Sequence, residues 1–294
     1  MKIGIYGKNL NEKCRNNAVK LIEKLEKHKF GLFVYEPFYN LLLKKNKIKF
    51  SSKIIPFNSH LEIKNKIDFL FGIGGDGTIL NTINLVYNSG IPIMGINTGR
   101  LGFLSSTSVE DCDKAIQCLI DKDYYLDKRT LLKLETENNL FRNENYALND
   151  VTIQKKDISS MVNIHAYING EFLNSYWADG LLVSTPTGST AYSLSCGGPI
   201  VVPESKNFVI NPIAPHNLNV RPIIIPDDKT ITLKIEGKSK SFLICLDSRV
   251  ETIDSKIELK ITKANFCINL VRLKNQNFFS TIRNKLMWGM DKRN

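Results

Sequence analysis

The residues best suited to chemistry form one run, Phe71-Gly72-Ile73-Gly74-Gly75-Asp76-Gly77-Thr78. Its four glycines let the backbone take positive φ and come close to a ligand. Backbone N–H groups at a helix start make an anion site, so the loop suits phosphate. A carboxylate inside such a loop repels phosphate unless it holds a metal or removes a proton. Asp76 is therefore the first candidate for a catalytic residue. The flanking residues supply the elements that must position it. Asp68-Phe69-Leu70-Phe71 reads as a buried strand, and residues 79–87 leave the loop with helical spacing of apolar side chains.

Commoner readings of the loop compete. Gly72, Gly74 and Gly77 fit the dinucleotide fingerprint G-x-G-x-x-G. That fold also needs an acid at the end of the next strand to hold the ribose. Here the next strand, residues 91–96, ends in Asn97-Thr98-Gly99. A Walker loop fails because no Lys-Ser or Lys-Thr pair follows the glycines, and Gly237-Lys238-Ser239 has Thr232 where the first glycine belongs. A tight strand-to-helix turn with an Asp cap is the structural alternative. One or two glycines would satisfy it.

A second polar run is Asp179-Gly180, then Ser184-Thr185-Pro186-Thr187-Gly188-Ser189-Thr190-Ala191-Tyr192-Ser193. Hydroxyls and turn N–H groups there can hold ribose, amide or phosphate, and Tyr192 can stack on a base. Taken alone, it is equally an ordinary Ser/Thr turn. The nucleophile reading fails, since G-x-S-x-G is absent. Asn149-Asp150 opens a strand and by itself reads as a cap. His28, His60, His165 and His216 are dispersed and suggest no metal cage.

At 294 residues the chain suits two domains or one large one. Residues 2–6 and 32–35 read as strands and residues 11–27 as a helix, followed by the glycine-loop strand, its helix, the strand at 91–96 and a helix over 109–120. Such alternation predicts a parallel sheet with helices on both faces. Beyond residue 126 the texture becomes β. Strands are expected over 131–136, 146–154 and 161–168, with a hairpin at Asn169-Gly170 leading into residues 171–173. Residues 231–235 and 242–246 are expected to flank a turn at Glu236-Gly237, and 257–261 and 267–273 to form a further pair. An amphipathic tail helix over 280–288 is expected to pack back. The predicted division is residues 1–125, 126–274 and 275–294.

The formal charge of +11 and pI near 9.2 allow an anionic partner. Apart from Lys44, Lys45, Lys47 and Lys49 the lysines are spread out, and no aromatic-basic stripe accompanies them, so nucleic acid is not expected. No apolar run approaches a membrane span and no signal pattern opens the chain, so no membrane partner is expected. The six cysteines show no C-x-x-C pair, as expected of reduced thiols in a cytoplasmic protein.

Together these motifs resemble the bacterial NAD kinase family. The matching residues are Gly74-Gly75-Asp76-Gly77-Thr78, Asn97-Thr98-Gly99-Arg100-Leu101-Gly102-Phe103-Leu104, Asn149-Asp150, Asp179-Gly180 and the run from Ser184 to Ser193. The resemblance extends through the closing segment, residues 278–289. It implies an α/β N-terminal domain with a Rossmann-like parallel sheet, a mostly antiparallel β-sandwich C-terminal domain, and an active site between them. It also implies ATP-dependent phosphorylation of the adenosine-ribose 2′-hydroxyl of NAD, with a divalent cation such as Mg²⁺ and a homo-oligomer, dimer or tetramer. By the same resemblance Asp76 is the proton acceptor and Gly77 lies beside the nucleotide. Asn149, Asp150, Asp179, Thr190, Ala191, Tyr192, Ser193, Leu194 and Ser195 line the dinucleotide, and Ala214 touches it. No residue is assigned to a metal. Two departures from family patterns are Trp177, where many relatives carry Arg, and Arg249, where some carry Gln. The alternatives are a lipid or sphingoid kinase sharing the glycine loop, and a non-catalytic NAD-binding sensor.

Overall fold

The structure is a computed structural model that describes residues 1–8, 11–46, 53–99, 102–156, 161–236, 241–274 and 276–289. The chain forms two compact units, residues 1–128 with 268–294, and residues 129–267.

In the first unit the order is β1 (Lys2–Gly7), α1 (Glu12–Lys27), β2 (Gly31–Tyr35), α2 (Glu36–Asn46), β3 (Ile54–Phe57), α3 (His60–Ile63), β4 (Phe69–Ile73), α4 (Asp76–Val86), β5 (Ile93–Asn97), β6 (Thr107–Ser108) and α5 (Cys112–Ile120). α1 forms because Ala18, Leu21, Ile22 and Leu25 fall on one face and are buried. Asn11 caps it by accepting from Cys14 N at 2.9 Å, a contact worth about 1 kcal/mol. The strands pair in parallel in the order β3-β2-β1-β4-β5. The expected parallel sheet with helices is thus present. α2, α3 and β3 were not foreseen, and Lys47 and Lys49 of the basic cluster lie outside the described residues.

That strand order has a consequence for function. The chain runs outward from β1 through β2 to β3, then returns to β4 on the other side of β1. Ligands of open α/β sheets bind beyond the carboxyl ends of the strands at such a switch point. The glycine loop follows β4 at that end, and Lys8 follows β1 there.

The chain passes between the units within β7 (Tyr124–Glu135). Then come β8 (Tyr146–Ala147), β9 (Asp150–Lys155), β10 (Val162–Ile168), β11 (Glu171–Ala178), β12 (Gly180–Ser184), α6 (Tyr192–Ser195), β13 (Asn207–Ile213), β14 (Ile223–Pro226), β15 (Ile231–Glu236), β16 (Phe242–Leu246), β17 (Arg249–Ile253) and β18 (Leu259–Leu273). α7 (Phe278–Leu286) closes the described chain. Antiparallel strands β11-β10-β15-β18 make one sheet of the second unit, and β14-β13-β12-β9-β16-β17 the other. One core joins them: Ile164, Leu233 and Ile261 from the first sheet meet Ile153, Leu181, Phe208 and Ile244 from the second. This is the expected antiparallel sandwich.

Two strand expectations are corrected. Residues 257–261 and 267–273 are not a hairpin pair, because β18 runs unbroken from Leu259 to Leu273. The intervening Lys263-Ala264-Asn265-Phe266 contains neither Gly nor Pro to turn the chain. Residues 231–235 and 242–246 do not pair either: β15 lies between β10 and β18, whereas β16 lies between β9 and β17. Each strand buries alternate side chains in the same sandwich core from opposite sides. Their connection, residues 237–240, lies outside the described residues, as does the Walker-like tail at Gly237.

Candidate active site

In the first unit β4 is buried along its length and delivers the loop to α4, whose N-cap is Gly75. The glycines divide into two kinds. A Cβ at Gly72 would stand 2.6 Å from Ile79 Cδ1, and Gly74 has φ +150° with its Cβ position 2.2 Å from Thr78 Oγ1. These two are demanded by the turn itself. Gly75 and Gly77 have nothing within 4 Å of a Cβ position. Packing does not require glycine there, and both leave the first turn of α4 open to a ligand.

Asp76, the expected proton acceptor, is held by backbone donors. Oδ1 accepts from Leu104 N and Ser105 N, both at 3.0 Å, and Oδ2 accepts from Phe103 N at 2.8 Å. A Cβ at Gly102 would fall 1.8 Å from Oδ1, so glycine is needed there for close approach. The same loop is gripped from behind by Arg272, which is 5% exposed. Its guanidinium donates to Phe103 O at 2.9 Å, Leu104 O at 3.3 Å and Ser106 Oγ at 2.6 Å, and pairs with Asp127 Oδ2 at 3.1 Å. Asn97 adds a brace: its Nδ2 donates to Ser105 Oγ at 3.0 Å, and Ser105 Oγ donates to Gly74 O at 3.1 Å. The Asn97-Thr98-Gly99 motif therefore acts here as scaffolding for the glycine loop. Its neighbours Arg100 and Leu101 lie outside the described residues. Lys285, from α7, places Nζ 3.6 Å from Asp76 Oδ2. The tail helix thus packs back on its own unit, starting two residues earlier than expected because Asn277 caps it.

In the second unit Asn149 and Asp150 lie against the hydroxyl-rich run. Asp150 pairs in register with Ser184, and Asn149 O accepts from Thr185 N at 2.9 Å. Thr185 Oγ1 donates to Leu148 O at 2.5 Å. Gly188 is required here, since a Cβ would stand 2.1 Å from Asn149 O. The Asn149-Asp150 corner depends on Asp247, whose carboxylate accepts from Leu148 N, Asn149 N and Asp150 N at 2.9, 2.7 and 3.3 Å. Arg249 donates to Glu144 O and Tyr146 O just before that corner. Burial pushes Asp247 up, opposed by those backbone donors and by Arg249. Asp150 is raised to about 7 by burial and by the Asp247 charge, with Thr152 Oγ1 donating to it at 2.8 Å in opposition.

Asp179 lies at the other end of β12, where Lys155 Nζ pairs with it at 2.5 Å. Gln154, opposite Gly180, donates to Tyr192 Oη at 2.8 Å. Tyr192 is well exposed, and its ring is available to stack. Thr190 Oγ1 donates to Thr187 O at 3.2 Å. Ser193 is fully buried, its carbonyl accepting from Asn211 Nδ2 at 3.0 Å, while Ala191 and Leu194 are partly and Ser195 more fully exposed. Ala214, with φ +43°, ends β13 beside Asp179. Trp177 is exposed and rests at 5.0 Å from the His216 ring.

Three groups that shape these sites were not singled out from sequence. Arg272 and Asp247 are single charged residues far along the chain from what they hold. The donors at Phe103, Leu104 and Ser105 are backbone amides, which no residue type marks, although Gly102, Phe103 and Leu104 were within a quoted motif.

Comparisons with known proteins agree with this architecture. The profile of the ATP-NAD kinase N-terminal domain matches residues 3–124, and that of the ATP-NAD kinase C-terminal domain matches residues 148–273. A protein of Flavobacterium johnsoniae named NAD kinase is 46% identical over 296 residues, covering 100% of both chains. Another so named, from Cytophaga hutchinsonii, is 47% identical over 294 residues with the same coverage. Among solved structures, yeast NADH kinase complexed with NADH matches with TM-score 0.87 and 25% identity over 99% of this chain and 88% of that one. An NAD kinase from Archaeoglobus fulgidus in complex with ATP matches with TM-score 0.71 and 25% identity, over 96% and 99%. The fold and loop define a nucleotide-dependent phosphotransferase. The chain belongs to the ATP-NAD kinase family, whose reaction phosphorylates NAD.

Proposed function

We propose that the chain transfers the γ-phosphoryl group of ATP to the adenosine-ribose 2′-hydroxyl of NAD, with Asp76 as the proton acceptor. The observation that carries this assignment is the fixed carboxylate. A carboxylate offers about four acceptor positions. Three are taken by loop amides, which leaves one on Oδ2. An alcohol is a weak nucleophile near neutral pH, and a base within hydrogen-bond reach accelerates its attack by about 10²–10⁴-fold. The ribose oxygen bonds to the γ-phosphorus, its proton passes to Asp76, and the bridging bond breaks with its electron pair on ADP. Open positions at Gly75 and Gly77 admit phosphate to the first turn of α4, whose N–H groups favour anions.

Asn149, Asp150, Asp179, Thr190, Ala191, Tyr192, Leu194 and Ser195 are assigned to the dinucleotide. Ser193, being buried, serves that role by holding the turn. Among the described residues no three of His, Cys, Asp and Glu converge as a metal cage. The Mg²⁺ ion proposed here arrives on the triphosphate, since Mg²⁺ is commonly held by substrate phosphates and water. It would supply charge neutralisation at the phosphate oxygens, and no residue of this chain is assigned to it.

A homo-oligomer, dimer or tetramer, is part of the proposal, supported by the family resemblance and by exposed Phe172, Trp177 and Val250 on strands of the second unit. Light scattering on the purified protein measures it. No helix among the described residues is long and apolar enough to cross a membrane, and a cytoplasmic location is proposed by family resemblance, testable by fractionation. The direct test of function incubates the protein with ATP, Mg²⁺ and NAD. NADP is the expected product; phosphate appearing on a lipid in its place would overturn the assignment.

A further inference from the structure

The glycine loop lacks a part that phosphate loops ordinarily carry. In P-loop enzymes a lysine at the end of the loop cradles the β- and γ-phosphates. Here Asp76-Gly77-Thr78 stand in that place. The tail helix α7 returns a lysine to the loop. Asn277 caps the helix, accepting from Ser280 N at 2.8 Å, Ile282 is buried, and Phe278 packs 6.5 Å from the Phe103 ring. Those contacts fix the helical face so that Lys285 Nζ lies 4.7 Å over the Phe103 ring and 3.6 Å from Asp76 Oδ2. Charge-assisted N–H···O contacts are normally about 2.7–2.9 Å. The ammonium therefore stands beside the carboxylate without a hydrogen bond to it. Its contacts among the described residues are this carboxylate and the aromatic face.

A second cation lies near the loop and is differently engaged. Lys8 Nζ donates to Asn81 Oδ1 at 3.0 Å, and Asn81 Nδ2 donates to Gly77 O at 2.5 Å. That ammonium is tied to the side of α4 rather than to Asp76.

We propose that Lys285 is a catalytic residue whose ammonium meets the oxygens of the phosphoryl group in transfer. The inference rests on the reading of Asp76 as the base. The acceptor oxygen must lie against Asp76 Oδ2, so the phosphorus it attacks passes within reach of a cation standing beside that oxygen. As the ribose O–P bond forms and the bridging P–O bond breaks toward ADP, the proton goes to Asp76. Lys285 keeps its own protons and neutralises the phosphoryl oxygens. A merely structural ion pair would pin α7 to the loop, and an exposed pair of that kind adds little stability.

The two readings separate in steady-state kinetics with ATP, Mg²⁺ and NAD. Lys285→Met is expected to lower kcat about 100-fold, as loss of one preorganised donor does. The KM for NAD should stay within about threefold and the thermal midpoint within about 2 °C, as for loss of an exposed pair. Lys285→Arg should recover to within about tenfold of wild type, because the charge is kept but the compact ammonium is replaced by a fork. Added ethylammonium should raise the kcat of Lys285→Ala, since a free cation can take the vacated place. Lys8→Met should lower kcat less than Lys285→Met. A Lys285→Met enzyme with near-wild-type kcat would overturn the proposal. So would a loss that neither Arg nor ethylammonium relieves and that comes with a lowered thermal midpoint, which assigns Lys285 to helix packing. Failure of the wild-type enzyme to form NADP would be a different result, removing the function itself.

Discussion

Asp76 and Asp150 are the same side chain in opposite settings. Asp76 caps a backbone loop with both oxygens, is partly open to solvent and has an ammonium nearby. Asp150 is buried at the start of β9, next to the backbone corner held by a second carboxylate, Asp247, and is pushed up to about 7. The difference separates two uses of an acid in one enzyme. A carboxylate fixed by amides with one acceptor position open is suited to receiving a proton from a substrate. A buried one whose pKa is raised toward neutral is suited to gripping, because its protonated form can donate and its ionised form accept a hydrogen bond.

Substitutions at each acid test that contrast. The largest effect is expected for Asp76→Asn, with turnover falling about 10³-fold or more, within the range of a lost general base. NAD affinity should stay within a few-fold, measured by calorimetric titration. Near-wild-type turnover would remove Asp76 from the role of base. Gly102→Ala should come next. Its Cβ must displace the Asp76 carboxylate from a position 1.8 Å away, and a misplacement of about 1 Å commonly costs about 10²-fold in rate. An unchanged kcat would mean that the carboxylate's position does not matter.

The acid at 150 should behave differently in kind. Asp150→Ala is expected to raise the KM for NAD, since a hydrogen bond involving a charged group contributes about 1.5–3 kcal/mol. The KM for ATP should move less, and the opposite pattern would assign Asp150 to the donor nucleotide. The smallest effect is on stability. Burial raises the Asp150 pKa from 3.8 unfolded to about 7 folded, so the native state binds more protons between those values. Stability from this group is therefore complete below about pH 4 and lost as pH rises through 7. Asp150→Asn removes that dependence while its Oδ1 still accepts from Thr152. Its thermal midpoint should gain on wild type by about 2–4 °C between pH 5 and pH 8 for each kcal/mol recovered. Parallel curves for the two proteins would contradict the buried setting.

How much of this was readable from residues alone differs between the two regions. Around Asp76 the strand, the glycines and the helix are consecutive, so period and residue type identify them together. The loop that receives the carboxylate is 27–29 residues away and acts through amides, and Arg272 reaches Leu104 across 168 residues. The loop was quoted as part of a motif without its role as donor, and Arg272 leaves no local pattern. In the sandwich the alternation of β9 and β10 was legible, but partner choice was not. β15 and β16 are adjacent in sequence and lie in opposite sheets, because alternating apolar residues specify a buried face without saying which sheet supplies it. Asp247 was missed for a related reason, since a turn acid between two strands ordinarily reads as a solvated loop residue.

The central claim is that Asp76 acts on one hydroxyl of one ribose. Incubating the enzyme with Mg²⁺, ATP labelled in its γ-phosphate, and either NAD or NAD lacking the adenosine-ribose 2′-hydroxyl tests it directly. Label should appear on NAD, and the deoxy compound should bind in competition with NAD while remaining unlabelled. Label on the deoxy compound would contradict the account.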